Sequence, residues 1–128
     1  MKLDQLVGTW ELHQVITIGK DGEISYPQGE HPVGVLLYTQ DGGMSATIAA
    51  QVNRDELSVC YAGRVSVQRD ILIHNVLVGA APFPPGSRLI RDAQLLADGT
   101  LRLTASAQNG TERTTLTWKR PQPSPERI

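Results

Sequence analysis

A single cysteine, Cys60, stands in the 128-residue chain, so no disulfide can form within it. Long apolar runs are also missing: none approaches the ~20 residues that a bilayer-crossing helix needs, so no membrane role is expected. Charge of one sign is nowhere concentrated. The formal net charge is −1, acidic and basic residues are spread along the chain, and no basic block is available to hold nucleic acid. Met1 to Gln5 contains no apolar stretch of the kind that secretory signals carry. With the lone cysteine, this predicts a cytoplasmic location.

The motifs of several chemistries are absent too. No Cys/His cluster or His-x-x-x-His pair offers a metal site. No phosphate loop or dinucleotide fingerprint occurs, and neither does a nucleophile elbow. No metal and no cofactor is therefore expected; haem held by one histidine is the alternative. Helix signals are scarce. Leu3–Leu6 suits one short turn, and Asn53–Cys60 suits another with Asn53 as N-cap.

What is present reads as all-β. Short runs rich in β-formers fall near 7–18, 23–26, 33–39, 43–51, 62–68, 71–79, 87–96, 100–108 and 111–120, separated by Gly, Asp and Asn turns. Lys20-Asp21-Gly22, Gln40-Asp41-Gly42 and Ala97-Asp98-Gly99 each suit a type I turn closed by a left-handed glycine. Asn109-Gly110 suits a two-residue turn, and Arg69-Asp70 another. A turn sets register, and register decides which face each side chain occupies. Carried outward, these turns set Tyr38 opposite Met44, Leu36 opposite Ala46, Val65 opposite His74, Ala93 opposite Leu103, and Leu101 opposite Trp118. Trp10, Leu12, Gln14, Ile16 and Ile18 share one face of the first strand, and Tyr26 is set opposite Ile16.

These faces are apolar and suit a single interior. The expected fold is one antiparallel up-and-down β-barrel of about 8–9 strands over residues 1–120, because closure removes exposed edges. A flat β-sandwich is the alternative. The Pro-rich tail 121–128 is expected to be disordered. Small residues at Gly34, Ala46, Gly63, Ala93, Ala105 and Ala107 fall inward, which leaves room for one small ligand.

The ordered series of segments resembles a known family. Leu6-Val7-Gly8-Thr9-Trp10 is similar to the Gly-x-Trp opening of lipocalins. Tyr26-Pro27-Gln28-Gly29, Pro32 to Thr39, Asp41-Gly42-Gly43-Met44, Tyr61-Ala62-Gly63-Arg64, Ile73-His74, Arg91 and Leu116 to Arg120 resemble the lipocalin-like domain family of bacteria and fungi. The resemblance implies a barrel with a central cavity. It also implies that Trp10 closes one barrel end with Arg120 over its ring, a structural role joined by Trp118. Some such barrels act as cofactor-free cyclases or isomerases in natural-product biosynthesis, and others are carriers. Val65 and Asn75 depart from the family pattern, which often has an aromatic and a second histidine there.

Three inward residue types carry candidate chemistry. His74 lies among Leu72, Val76, Val65 and Val67, either as a core histidine bonded to Tyr or backbone, or as a proton acceptor. Arg91 cannot shed its charge, so burial demands an anionic or strongly accepting partner; a position near the mouth, reaching water, is the other account. Tyr38 completes the candidate catalytic set by orienting a carbonyl. Gln14, Tyr26, Leu36, Met44, Tyr61, Ala93 and Thr114 are the candidate ligand contacts, a few polar groups in an apolar cavity. The loop 80–86 and the segment Tyr26–Pro32 are candidate lids. The expected partner is a small hydrophobic organic molecule, bound or transformed by a monomer or homodimer. A carrier or sensor, or an interaction domain with a filled barrel, are the rival readings.

Overall fold

The computed structural model describes residues 1–107 and 110–122. Among the described residues nine strands run in chain order: β1 (Gly8–Ile18), β2 (Ile24–Ser25), β3 (Gly34–Tyr38), β4 (Gly43–Ala49), β5 (Leu57–Gln68), β6 (Ile71–Gly79), β7 (Arg88–Leu95), β8 (Leu101–Ser106) and β9 (Arg113–Lys119). All pair antiparallel with their neighbours, and β1 also pairs with β9. That pairing closes an eight-strand barrel of β1 and β3 to β9, with the two-residue β2 attached outside it. A short 3-10 turn, Leu3–Gln5, precedes β1, as the sequence predicts.

Turn chemistry sets the registers. Gly22, Gly42 and Gly99 have φ of 83°, 90° and 87°, and each closes a three-residue loop between paired residues, such as Thr39 and Gly43. Arg69 takes a φ of 56° in the two-residue Arg69-Asp70 turn. The pairs Tyr38↔Met44, Leu36↔Ala46, Val65↔His74, Ala93↔Leu103 and Leu101↔Trp118 all form. Asn109 lies outside the described residues, as do residues 123–128 of the Pro-rich tail.

The first strand departs from simple alternation. A bulge between Leu12 and Gln14 leaves His13 without a partner in the ladder. One extra residue reverses the parity beyond it. Val15 is therefore buried, whereas Ile18 is 42% exposed. Gln14 and Ile16 consequently lie on the outer face, not in the interior. Tyr26, which follows the exposed β2, is 44% exposed. A second bulge shifts the pairing of Ala62 and Gly63 with β6. A Cβ at Gly63 would lie 1.9 Å from the Asn75 carbonyl oxygen. This glycine lets two backbones approach; it does not hollow the cavity. Ala107 is exposed rather than inward. Asn53 caps no helix either. Its side-chain oxygen accepts from the Asp55 N–H at 3.1 Å, forming a turn, and β5 already starts at Leu57.

One end of the barrel is closed by its own side chains. Leu6, Trp10, Trp118 and Leu101 are almost fully buried there. Trp10 Nε1 donates to the Leu6 carbonyl at 2.9 Å. The Arg120 guanidinium lies 3.8 Å from the Trp10 ring centroid and donates to the Thr9 and Gln5 carbonyls. Gly8, at a φ of 118°, stands where a Cβ would meet that guanidinium at 2.8 Å. The glycine and the tryptophan of the Gly-x-Trp opening thus serve one contact.

Candidate functional site

The interior contains a cavity of about 220 Å³. It is smaller than the few hundred cubic ångströms of common drug-sized sites, so it suits a small molecule and not a long lipid. Its wall is mostly apolar: Val15, Leu36, Ala46, Ile48, Val59, Leu103, Ala105 and Leu116. Ala46 and Ala105 on this wall leave the space that the small-residue pattern predicts. Pro27, Gln28 and Phe83 also line it, so both candidate lid segments contribute to the same cavity. Phe83 packs on Tyr61 with ring centroids 5.1 Å apart.

His74 sits between two tyrosines. Tyr38 Oη is 2.7 Å from His74 Nε2, and Tyr61 Oη is 2.7 Å from His74 Nδ1. The register explains part of this: Val65 of β5 pairs with His74, and Tyr61 projects inward four residues earlier on the same strand. Burial, with the nearby positive charge of Arg91 second, lowers the His74 pKa to about 3. The ring is neutral, with one N–H donor and one acceptor nitrogen. One tyrosine must donate to it and the other must accept from it.

The surroundings decide the direction. Tyr38 is enclosed and its ring is not part of the cavity wall, whereas Tyr61 lines the cavity. A Tyr38 hydroxyl that accepted from His74 would need a further acceptor for its own proton, and none is bonded to it among the described residues. The satisfied arrangement has Tyr38 O–H donating to Nε2, and Nδ1–H donating to Tyr61. The Tyr61 hydroxyl proton then faces the cavity. Burial raises the Tyr38 pKa well above its usual value, and burial raises that of Tyr61 to about 12. Both stay protonated donors at neutral pH.

Arg91 is the one charged side chain on the wall among the described residues. Burial lowers its pKa, and the Tyr61 and Tyr38 oxygens act against that shift. Its guanidinium donates to the Ile90 carbonyl at 3.0 Å, and no carboxylate among the described residues is paired with it. A half-buried cation therefore faces an apolar cavity without a counterion. Thr114, also on the wall, shares a 2.8 Å hydrogen bond with Thr17.

Of the residues singled out from sequence, His74, Arg91, Tyr61, Leu36 and Thr114 line the cavity together. Tyr38 stands behind His74. Met44 and Ala93 belong to the surrounding core. Gln14 and Tyr26 do not join the site, for the bulge and the detached β2 place them outside. Val65 faces His74, but Asn75 has the opposite parity, so only the first of these family departures alters the interior. Trp118, expected as a purely structural residue, also lines the cavity. Haem does not fit, because both ring nitrogens of His74 are engaged by tyrosines. No group of three His, Cys, Asp or Glu side chains among the described residues is placed to hold a metal, and no helix among them is long and apolar enough to cross a membrane.

Comparison with known proteins agrees with this architecture. The family model of the lipocalin-like domain matches residues 7–59, the part of the chain from the Gly-x-Trp opening through β4, and the closed antiparallel barrel is similar to the fold that this likeness implies. A redesigned beta barrel of known structure is similar across 94% of this chain and 95% of that one, with a TM-score of 0.55 and 13% sequence identity. That likeness concerns the fold alone. No curated protein matches the sequence.

Proposed function

We propose that the barrel binds a small, largely apolar organic molecule that presents a carboxylate, enolate or carbonyl oxygen to Arg91 and Tyr61. The observation that carries this reading is the guanidinium on the cavity wall with no carboxylate partner. A cation half-buried in an apolar wall is held at a cost unless paired, and an oxyanion ligand supplies the missing charge. Tyr61 adds a donor whose direction is set by His74 and Tyr38. The cavity itself favours this reading over a filled barrel.

The same donors support cofactor-free cyclisation or isomerisation through an oxygen that gains negative charge. Fixed donors aimed at a developing oxyanion lower such a barrier, and an apolar wall holds the substrate in a reactive shape. In this account Arg91 and Tyr61 touch the reacting oxygen, and His74 and Tyr38 position Tyr61. One observation favours the second reading, a carrier or sensor: His74 has no free nitrogen with which to take a proton from a ligand.

Native mass spectrometry of the purified protein, followed by denaturing extraction, tests for a resident molecule. Calorimetry with 4-isopropenylbenzoate as probe tests the site. The expected result is binding that weakens at least about tenfold in Arg91→Gln, as loss of a charge-assisted contact implies. Equal binding of the carboxylate by wild type and Arg91→Gln would overturn the assignment.

A further inference from the structure

The cavity has a polar group that the oxyanion site does not use. Trp118 is 1% exposed and its side chain lines the cavity. Its Nε1 is the buried side-chain polar atom left without a hydrogen-bond partner among the described residues. The other indole behaves differently. Trp10 is equally enclosed, yet its Nε1 finds the Leu6 carbonyl at 2.9 Å. Buried donors are almost always paired, so an unpaired one on a ligand cavity marks a place where the partner comes from outside the chain.

Its location differs from that of the oxyanion donors. Arg91 follows the pairing of β7 to the level of Ala105, which pairs with Thr114 of β9. Trp118 lies four residues further along β9, opposite Leu101, or about 13 Å of strand toward the closed end. The apolar pair Leu103 and Leu116 forms the rung between. The cavity therefore has donors at two levels with an apolar middle.

We propose that Trp118 Nε1–H is a specificity contact, and that the cognate molecule carries two oxygen acceptors. One is acidic or enolic and meets Arg91 and Tyr61. The other is a carbonyl or ether oxygen that accepts from the indole. This assignment rests on the oxyanion reading above and narrows its ligand class from a monofunctional acid to a bifunctional one.

The test compares two probes of the same shape, 4-acetylbenzoate and 4-isopropenylbenzoate, which differ by a carbonyl oxygen in place of a methylene group. Affinities come from calorimetry, and the two indole N–H resonances are followed by 1H–15N correlation spectra. The expected result is about tenfold tighter binding of the acetyl compound, the scale of one added hydrogen bond. The Trp118 indole resonance should move downfield with that compound alone, while the Trp10 resonance, held by Leu6, stays in place. Trp118→Phe should make the two affinities equal. Equal affinities in the wild type, with no selective Trp118 shift, would overturn this inference and leave the oxyanion reading standing. Failure of both probes to bind would overturn both. The wild-type spectra decide the matter even if Trp118→Phe does not fold.

Discussion

Lowering the pH from 7.5 to 5.0 should destabilise this barrel by about 2 kcal/mol, through one residue. In the folded state His74 has a pKa of about 3; in the unfolded chain it returns to the ordinary value near 6.5. The unfolded state then binds the extra proton, so stability is full above pH 6.5 and falls as pH drops toward the folded value. Each unit in that window is worth about 1.4 kcal/mol, and the 1.5 units between 6.5 and 5.0 give about 2 kcal/mol. Asp41 and Asp98 have carboxyls held below the usual range by the Thr39 hydroxyl and the Thr100 backbone N–H respectively. Their contributions are also lost as pH falls, but below about pH 4, outside the window. Urea unfolding at the two pH values measures the effect. With a slope of about 2 kcal/mol per molar, the midpoint should drop by about 1 M. His74→Phe carries every other titrating group, so its midpoint should change much less across the same interval. A wild-type midpoint that stays constant, or a variant that falls as steeply as the wild type, would show that His74 is not a buried neutral ring between two tyrosines.

Three further outcomes follow from the packing. Trp10→Ala should cost about 3–5 kcal/mol as a buried aromatic truncation, whereas Arg120→Gln should cost only about 0.5–1 kcal/mol for an exposed cation–π contact; denaturant titration would show equal losses if the guanidinium carries the end closure. Gly63→Ala should destabilise by about 1–3 kcal/mol or more because the new methyl meets backbone rather than a movable side chain, and a melting temperature unchanged from wild type would contradict the bulge. Ala105→Leu should fill the cavity and abolish binding of 4-isopropenylbenzoate while the folded barrel persists; retained affinity would place the ligand elsewhere.

The sequence carried most of the architecture because its turns are chemically explicit. Asp-Gly at the loops closed by Gly42 and Gly99 sets the hairpins whose registers place Leu36 and Arg91 inside, and the Arg69-Asp70 turn does the same for His74 and Tyr61. The β1 bulge had no such marker. His13 is neither glycine nor proline, and the residues after it, Gln14-Val15-Ile16-Thr17-Ile18, alternate plausibly in either parity. One unpaired residue therefore moved Gln14 out of the site and Val15 into it. Asn53 misled for a different reason: its side chain makes the same kind of backbone hydrogen bond in a turn as at a helix start. Contacts between distant strands were legible only in outline: a tyrosine partner for His74 was one of the two readings, but not which tyrosines, nor that both ring nitrogens are taken. Tyr38 on β3 and Tyr61 on β5 meet the two ring nitrogens of one imidazole on β6 because the sheet curls round on itself. The unpaired Trp118 N–H is likewise a property of what surrounds it, not of its position in β9.

The hydrogen-bond inventory of the cavity gives the site its chemical sign. Arg91 offers only donors. The Tyr61 proton points inward because Tyr38 and His74 have already used each other's capacity. Trp118 also offers only a donor. On the acceptor side, Gln28 Oε1 is taken by the Ser58 hydroxyl at 3.2 Å, and Thr114 is bonded to Thr17. No carboxylate lines the wall among the described residues. On the proposed function, a cavity with three donors and little free acceptor capacity should bind a cationic amine poorly for two reasons: charge repulsion from Arg91, and N–H groups of the amine left unpaired. The same reading favours an oxygen-rich, proton-poor molecule. Selectivity of this kind depends less on shape than on unmatched polarity, since a buried donor facing a donor forfeits its hydrogen bond outright.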